Sequence, residues 1–298
     1  MQIGIFLPTT EIDPSPQTLK AFTQAVENMG YDYITTADHV LGAPHAGRTP
    51  PLWGPYTEKD NFHEAFLVFA FLSGISERLE FATSVLVLPQ RQTALVAKQS
   101  ADLAVLSENR FRLGVGVGWN YLEFDALAQD FTTRGARIEQ QIALLRELWG
   151  KELVTGRAGP ESIERAGIAP RPSRPVPVWL GGYADVALRR AARLADGFCV
   201  PGIAESESRL RLLQGYLREH GRDPTTFPTE LIMTPPKGPD QGDWPRDRPS
   251  FISGTADTVA RWKGLGGTHA AIATYWMGLE SLSEHLAYAE KAINVARQ

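Results

Sequence analysis

Between Glu80 and Asn120 the hydrophobic period changes twice. Phe81 to Leu88 is a run of β-branched and large apolar residues stopped by Pro89. Ala97, Ala101 and Ala104 then recur at helical spacing, with Val96 and Leu103 beside them. Phe111 to Val117 returns to strand character inside Gly114-Val115-Gly116-Val117-Gly118-Trp119. Strand, helix, strand predicts a βαβ unit whose two strands lie parallel. The alternation continues on both sides. Ile3 to Leu7 predicts a first strand ending at Pro8, and Ser15-Pro16 a helix start with its stripe at Leu19, Phe22, Val26 and Met29 and its stop at Gly30. Tyr33 to Ala37 predicts the second strand, ending at Asp38-His39, and His63 to Leu72 the next helix.

Downstream, Ile138, Ile142, Leu145 and Trp149 mark a helix. Val178 to Gly181, Gly197 to Val200, Thr229 to Thr234 and His269 to Tyr275 read as strands. Helices are expected through Ala187 and Leu194, through Leu210 and Leu217, and, as a short piece, around Val259 and Trp262. A last one opens with the capping-box pattern Ser281 and Glu284. Three stretches break the rhythm: Val40 to Asn61, with four prolines and the aromatic residues Trp53 and Tyr56; Leu153 to Pro177, read as an insertion; and Pro235 to Pro249, which contains Trp244. Long loops in compact domains are usually functional or disordered. Strands and helices alternating through 1–298 without a linker predict one α/β domain, a (β/α)8 TIM barrel with insertions. A doubly wound sheet would want a phosphate-binding glycine turn after the first strand, and Pro8-Thr9-Thr10 is not one.

Composition narrows the function classes. Hydrophobic residues make up 43% of 298, enough for a sizeable core. A net charge of −4 gives no basic footprint for nucleic acid. The single cysteine, Cys199, excludes an intrachain disulfide framework and fits a reducing, cytoplasmic setting. No apolar run approaches the ~20 residues of a membrane span, and MQIGIFLP lacks the charged leader of a signal peptide. The histidines form no metal-ligand spacing.

In a barrel of this kind the chemistry sits where the strands end. That rule selects Asp38, His39, Ser84 to Leu88, Gly116 to Asn120, Gly181, Gly182, Cys199 and Tyr275 to Met277. It also puts both long loops on one mouth. The glycine run Gly114, Gly116, Gly118 has two readings. One is a strand face bared because another backbone comes close; the other is a floor on which a flat ring can lie. Gly181-Gly182 before a helix start is either a tight turn or a phosphate site made of free N–H groups. Asp38-His39 is either a solvated turn or a proton-handling site.

The run SVLVLPQRQTALVAKQSADLAVLSENRFRLGVGVGWN followed by EF, with Phe131 to Gly135, Val178 to Gly182 and Ala187 to Ala192, resembles the bacterial luciferase-like flavin and deazaflavin oxidoreductases. It is most similar to the branch dependent on coenzyme F-420, and the resemblance covers nearly the whole chain. It implies a luciferase-like barrel, His39 as proton donor or acceptor held by Asp38 or a nearby group, and a cofactor site of Asp38, Ser84, Val85, Gly116, Gly118, Trp119, Asn120, Gly181 and Gly182. It further implies a non-prolyl cis peptide near Ser84 behind the ring, phosphate on the glycine pair, and a homodimer. Trp53, Tyr56 and Trp276 are the expected substrate pocket, with Arg48, Lys59 and Arg91 as candidate partners for an anionic cofactor tail. Trp119 stands where some sugar-phosphate dehydrogenases of this branch carry a catalytic Glu, which points away from that substrate. The expected activity is hydride transfer between F-420 and a small organic substrate. The alternatives are an FMN monooxygenase fed by a reductase partner and a flavin-binding barrel without catalysis.

Overall fold

The computed structural model describes residues 1–202, 205–234 and 248–298, with backbone alone at 248–251 and 253. Trp244 and most of the second long loop lie outside the described residues. The strands are β1 (Gln2–Phe6), β2 (Tyr33–Thr36), β3 (Glu80–Thr83), β4 (Leu86–Val87), β5 (Phe111–Gly116), β6 (Val154–Ala158), β7 (Glu161–Ala166), β8 (Val178–Gly181), β9 (Gly197–Pro201), β10 (Thr229–Met233) and β11 (His269–Ile272). One sheet runs β3-β2-β1-β11-β10-β9-β8-β5-β4, and β3 also pairs with β5, so it closes on itself. Every pairing in it is parallel. Because β3 and β4 are two halves of one stave, this is the closed eight-stranded barrel that the alternation predicts.

The expected continuous strand Phe81 to Leu88 is therefore corrected. It breaks at Ser84-Val85, whose peptide bond is cis, and Leu88–Gln90 forms a single 3-10 turn. The break turns the Val85 side chain inward. Thr83 Oγ1 donates to the Gly114 carbonyl at 2.7 Å and the Ser84 N–H to the Thr36 carbonyl at 2.7 Å, holding the bulge on both flanks.

The helices are α1 (Pro16–Asn28), α2 (Ala65–Ser73), α3 (Thr93–Leu106), α4 (Tyr121–Ala126), α5 (Arg134–Gly150), α6 (Asp185–Leu194), α7 (Ser206–Glu219), α8 (Arg248–Gly264) and α9 (Leu282–Ala296). Pro16 sits at the first position of α1, and Ser15 Oγ accepts from the Thr18 N–H. Gly30, with φ of +88°, follows its end. At α9 the box is offset: Ser281 Oγ accepts from Glu284 N, but the Glu284 carboxylate reaches Glu280 N at 2.6 Å instead of Ser281 N. The helix around Val259 and Trp262 is longer than expected, and α4 was not expected at all. The insertion is an antiparallel hairpin, β6–β7. The Glu161 carboxylate accepts from the Thr93 N–H and hydroxyl and from Arg137, so it caps α3, where Gln92 offers no side-chain cap. Among the described residues no helix is long and apolar enough to cross a membrane.

The main core lies between the barrel and its helices. Inside the barrel the N-terminal layer is charged. Arg112 pairs with Glu230 at 2.8 Å, both buried, and its guanidinium lies 4.2 Å from the Tyr33 ring centroid and 4.6 Å from that of Trp179. A Cβ on Gly4 would overlap the Tyr33 ring, and one on Gly197 the Trp179 ring, so these glycines clear room for that sandwich.

Candidate active site

The glycine run resolves residue by residue. A Cβ at Gly114 would overlap the Thr83 carbonyl, so that position answers a close backbone approach. At Gly116 and Gly181 a Cβ would come within 2.5 and 2.6 Å of the Val85 side chain. Gly118 lies beyond the end of β5 with φ of +71° and does not share the strand face. The reading as a bare floor for a ring is corrected. The space that Gly116 and Gly181 leave is filled by Val85, and the surface presented at this end of the barrel is the Val85 bulge.

His39 follows β2 and is nearly buried. Its ring packs against Tyr56 with centroids 3.7 Å apart, against Phe62 edge-on at 4.9 Å and against Trp119 at 5.8 Å. Trp53, 60% exposed, stacks on the other side of Trp119 at 5.4 Å. Gly54, with φ of +146°, is pressed against the Trp119 ring, where a Cβ would not fit. Asn120 caps α4 through Leu122 N and donates to the Tyr56 hydroxyl at 2.9 Å. Tyr121 donates to the Pro50 carbonyl. The long loop after β2 is thus fastened over the β5 end of the barrel by residues 119–121. Burial first, and then the negative charge of Glu123, push the Tyr56 phenol well above its ordinary range, so it stays protonated.

Asp38 points elsewhere. Its buried carboxylate takes two bonds from Arg91, at 2.6 and 3.2 Å, and one from the Val87 N–H at 3.0 Å. It ties the bulged stave to β2 and does not hold His39. Arg91 also pairs with Glu64 at 2.8 Å. Its guanidinium is consumed by two carboxylates, which corrects its expected role toward an anionic tail. Of the other two cations named for that role, Arg48 donates to the Pro44 carbonyl and Lys59 is exposed.

The group beside His39 is Glu123, which the sequence reading missed. It is 1% exposed, and Oε1 lies 3.6 Å from His39 Nδ1. The same oxygen accepts from Val40 N at 2.6 Å and Leu41 N at 3.1 Å. A signal was available. Asn120-x-x-Glu123 is an N-terminal helix signature, a cap followed three residues later by Glu. The tertiary fold turned that Glu away from its own cap and onto the neighbouring loop.

At the β8 end, Gly182 has φ of +143°, and a Cβ there would come within 3.0 Å of Ala187 Cβ. Ala184 caps α6 without a side-chain bond. A glycine pair just before a helix without a side-chain cap suits an anionic group such as phosphate. Ser84 and Val85 face the same end. Cys199 is buried, and burial pushes its thiol well up, so it is no ready nucleophile. Trp276 stands after β11, apart from the His39 cluster in sequence. Its backbone N–H donates to the Glu11 carboxylate at 2.8 Å and its ring meets Tyr275 at 4.7 Å.

A family model described as luciferase-like monooxygenase matches residues 1–234. An uncharacterised protein of Mycobacterium tuberculosis is 34% identical over 70% of this chain and 74% of its own length. The F420-dependent glucose-6-phosphate dehydrogenase of Amycolatopsis mediterranei is 30% identical over 63% of this chain, a stretch covering 54% of that enzyme. Pyrimidine monooxygenase RutA of Variovorax paradoxus is 26% identical over 95% of this chain and 75% of its own. The structure of an F420-dependent secondary alcohol dehydrogenase with an F420–acetone adduct superposes with a TM-score of 0.75, covering 100% of this chain and 99% of that one at 16% identity, a likeness of fold.

Proposed function

This chain belongs to the luciferase-like monooxygenase family, and on that premise we propose that it is an oxidoreductase moving a hydride between coenzyme F-420 and a small organic substrate. The observation that carries the reading is a near-buried imidazole packed among three aromatic rings on the strand-end face that also carries the Gly182 turn. Gly181, Gly182 and the N–H groups opening α6 would hold the cofactor phosphate, and Val85 would back its ring. When bound, F-420 supplies a hydride donor or acceptor that reacts poorly with oxygen.

The chain's own residues supply the rest. His39 exchanges at Nε2 the proton that balances the hydride on the substrate. Tyr56, Phe62 and Trp119 fix the ring and exclude water. Trp53 and Trp119 offer a flat apolar wall, which favours an uncharged substrate over a sugar phosphate. The relative described as F420-dependent at 30% identity supports the deazaflavin. The second reading, an FMN monooxygenase served by a reductase, is favoured by RutA's alignment over 95% of the chain.

Titration of the purified protein with both cofactors separates the two. F-420 is expected to bind at least tenfold more tightly than FMN, and reduced F-420 to be oxidised anaerobically by an acceptor. Tighter FMN binding with oxygen-dependent turnover would install the second reading. The proposal includes a homodimer. α2 is apolar around its whole circumference, leaving Leu67 70% and Phe71 42% exposed, and the adjacent α3 leaves Leu95 and Leu106 open. Sedimentation of the protein and of Leu67→Glu tests that pairing.

A further inference from the structure

Two acidic residues flank the His39 segment, and they are used differently. Asp38 is neutralised: both oxygens are bonded, two of the three donors being Arg91 nitrogens. Glu123 has no Arg or Lys ion-pair partner among the described residues; its charge faces the imidazole. A buried carboxylate needs compensation. Glu123 finds it in the Val40 and Leu41 N–H groups, in the Tyr56 hydroxyl against it, and in whatever hydrogen His39 Nδ1 carries.

His39 Nδ1 is buried and has no hydrogen-bond partner among the described residues. An imidazole nitrogen that faces a carboxylate is favoured as N–H, and the other nitrogen then carries the lone pair. The ring cannot easily turn over to escape this choice, because Tyr56, Phe62 and Trp119 pack around it. The carboxylate is equally fixed. It is bonded to the two residues that directly follow His39, so the pair moves as a unit with the end of β2.

We propose that Glu123 is the positioning residue of the site, holding neutral His39 in its Nδ1–H form so that Nε2 is the atom that gives and takes the proton. This deepens the reading of His39 as the proton-handling group and rests on it. Free neutral histidine prefers the opposite form, Nε2–H, so a dominant Nδ1–H form would report the influence of Glu123 directly. Tyr56, the other titratable group against the ring, stays protonated and adds no competing charge.

The test uses the whole protein labelled with 15N-histidine, without cofactor or substrate. Long-range 15N–1H correlation spectra read the tautomer of each of the six histidines, and His39→Asn identifies the resonances of His39. In wild type, neutral His39 is expected to be mainly Nδ1–H. In Glu123→Gln, which keeps an oxygen for Val40 and Leu41 but loses the charge, the population is expected to move toward Nε2–H. Turnover in that variant is expected to fall at least tenfold, with cofactor affinity within twofold. Glu123→Asp, which keeps the charge on a shorter arm, is expected to fall between the two and provides the test should the Gln variant not fold. A wild-type His39 that is mainly Nε2–H would overturn the proposal, as would an Nδ1–H population indifferent to Gln and Asp alike. A tautomer shift in a protein that uses no F-420 would sink the functional reading and leave the positioning role standing.

Discussion

At the N-terminal end of the barrel, Arg112 and Glu230 meet at 2.8 Å between the rings of Tyr33 and Trp179. At the strand-end rim, Glu123 and His39 face each other at 3.6 Å between Tyr56, Phe62 and Trp119. Both are buried charge-bearing pairs walled by aromatic rings. The lower pair is a direct ion pair whose guanidinium lies over two rings, which suits it to hold the barrel together. The upper pair joins a carboxylate to an imidazole across 3.6 Å, with Nδ1 facing the carboxylate and, among the described residues, no cation between them. A depression of about 460 Å³ beside Met1, Asp32 and His269 lies at the lower end and opens to solvent. The comparison teaches that burial and aromatic walls alone do not mark a reactive site; an imidazole facing a carboxylate at the strand-end loops does.

Four experiments break or sharpen that contrast. Arg112→Met leaves Glu230 buried without its cation, and removing one partner of such a pair costs about 3–5 kcal/mol. Urea unfolding should show a loss of that size, with cofactor affinity unchanged in whatever folds. A loss under about 1 kcal/mol would mean that the lower pair is ornamental.

The second concerns pH. Burial first, and then the Arg112 charge, pull His269 down to about 3. Its folded pKa lies below its unfolded value of 6.5, so between those values the unfolded chain binds the extra proton. The contribution is fully present above 6.5 and is lost as pH falls toward 3, at most a few kcal/mol by linkage. His269→Gln should flatten stability across that window. An unchanged acid limb would place the acid sensitivity elsewhere.

At the upper pair, His39→Ala is expected to lower turnover about a hundredfold, worth about 2.7 kcal/mol, while cofactor affinity stays nearly constant. Equal losses in affinity and rate would make His39 a binding residue. The smallest expected effect is at Gly182. Gly182→Ala crowds Ala187 and puts a side chain at φ of +143°. Phosphate affinity should fall about tenfold, near 1.4 kcal/mol; unchanged affinity in a folded variant would move the phosphate site away from this turn.

Much of the barrel is legible in the sequence because its rules are local. Ser15-Pro16 and Gly30 bound α1 where the capping rules place them, and the stripe Leu19, Phe22, Val26 is buried. β1 ends at Phe6, just ahead of Pro8. The break in the stave Phe81 to Leu88 was not legible from period and propensity; only the resemblance implied the cis peptide that the structure has at Ser84-Val85. What breaks the stave is the space at Gly116 and Gly181, on β5 and β8, into which Val85 turns. Arg91 misled for a related reason. An arginine on a mouth-side segment looks solvated until Asp38 and Glu64, 53 and 27 residues away, close on it.

By itself the sequence determined the alternation of strands and helices, hence the barrel, and the positions at strand ends from which chemistry is drawn, because propensity and period act over a few residues. Which carboxylate serves His39 was decided only by the tertiary structure. Asp38 is its neighbour in the chain, yet successive residues leave a strand end on opposite sides, and Asp38 is turned to Arg91. Glu123, 84 positions along the chain from His39, reaches it because α4 packs under the loop after β2 and its carboxylate meets the N–H groups of Val40 and Leu41 there.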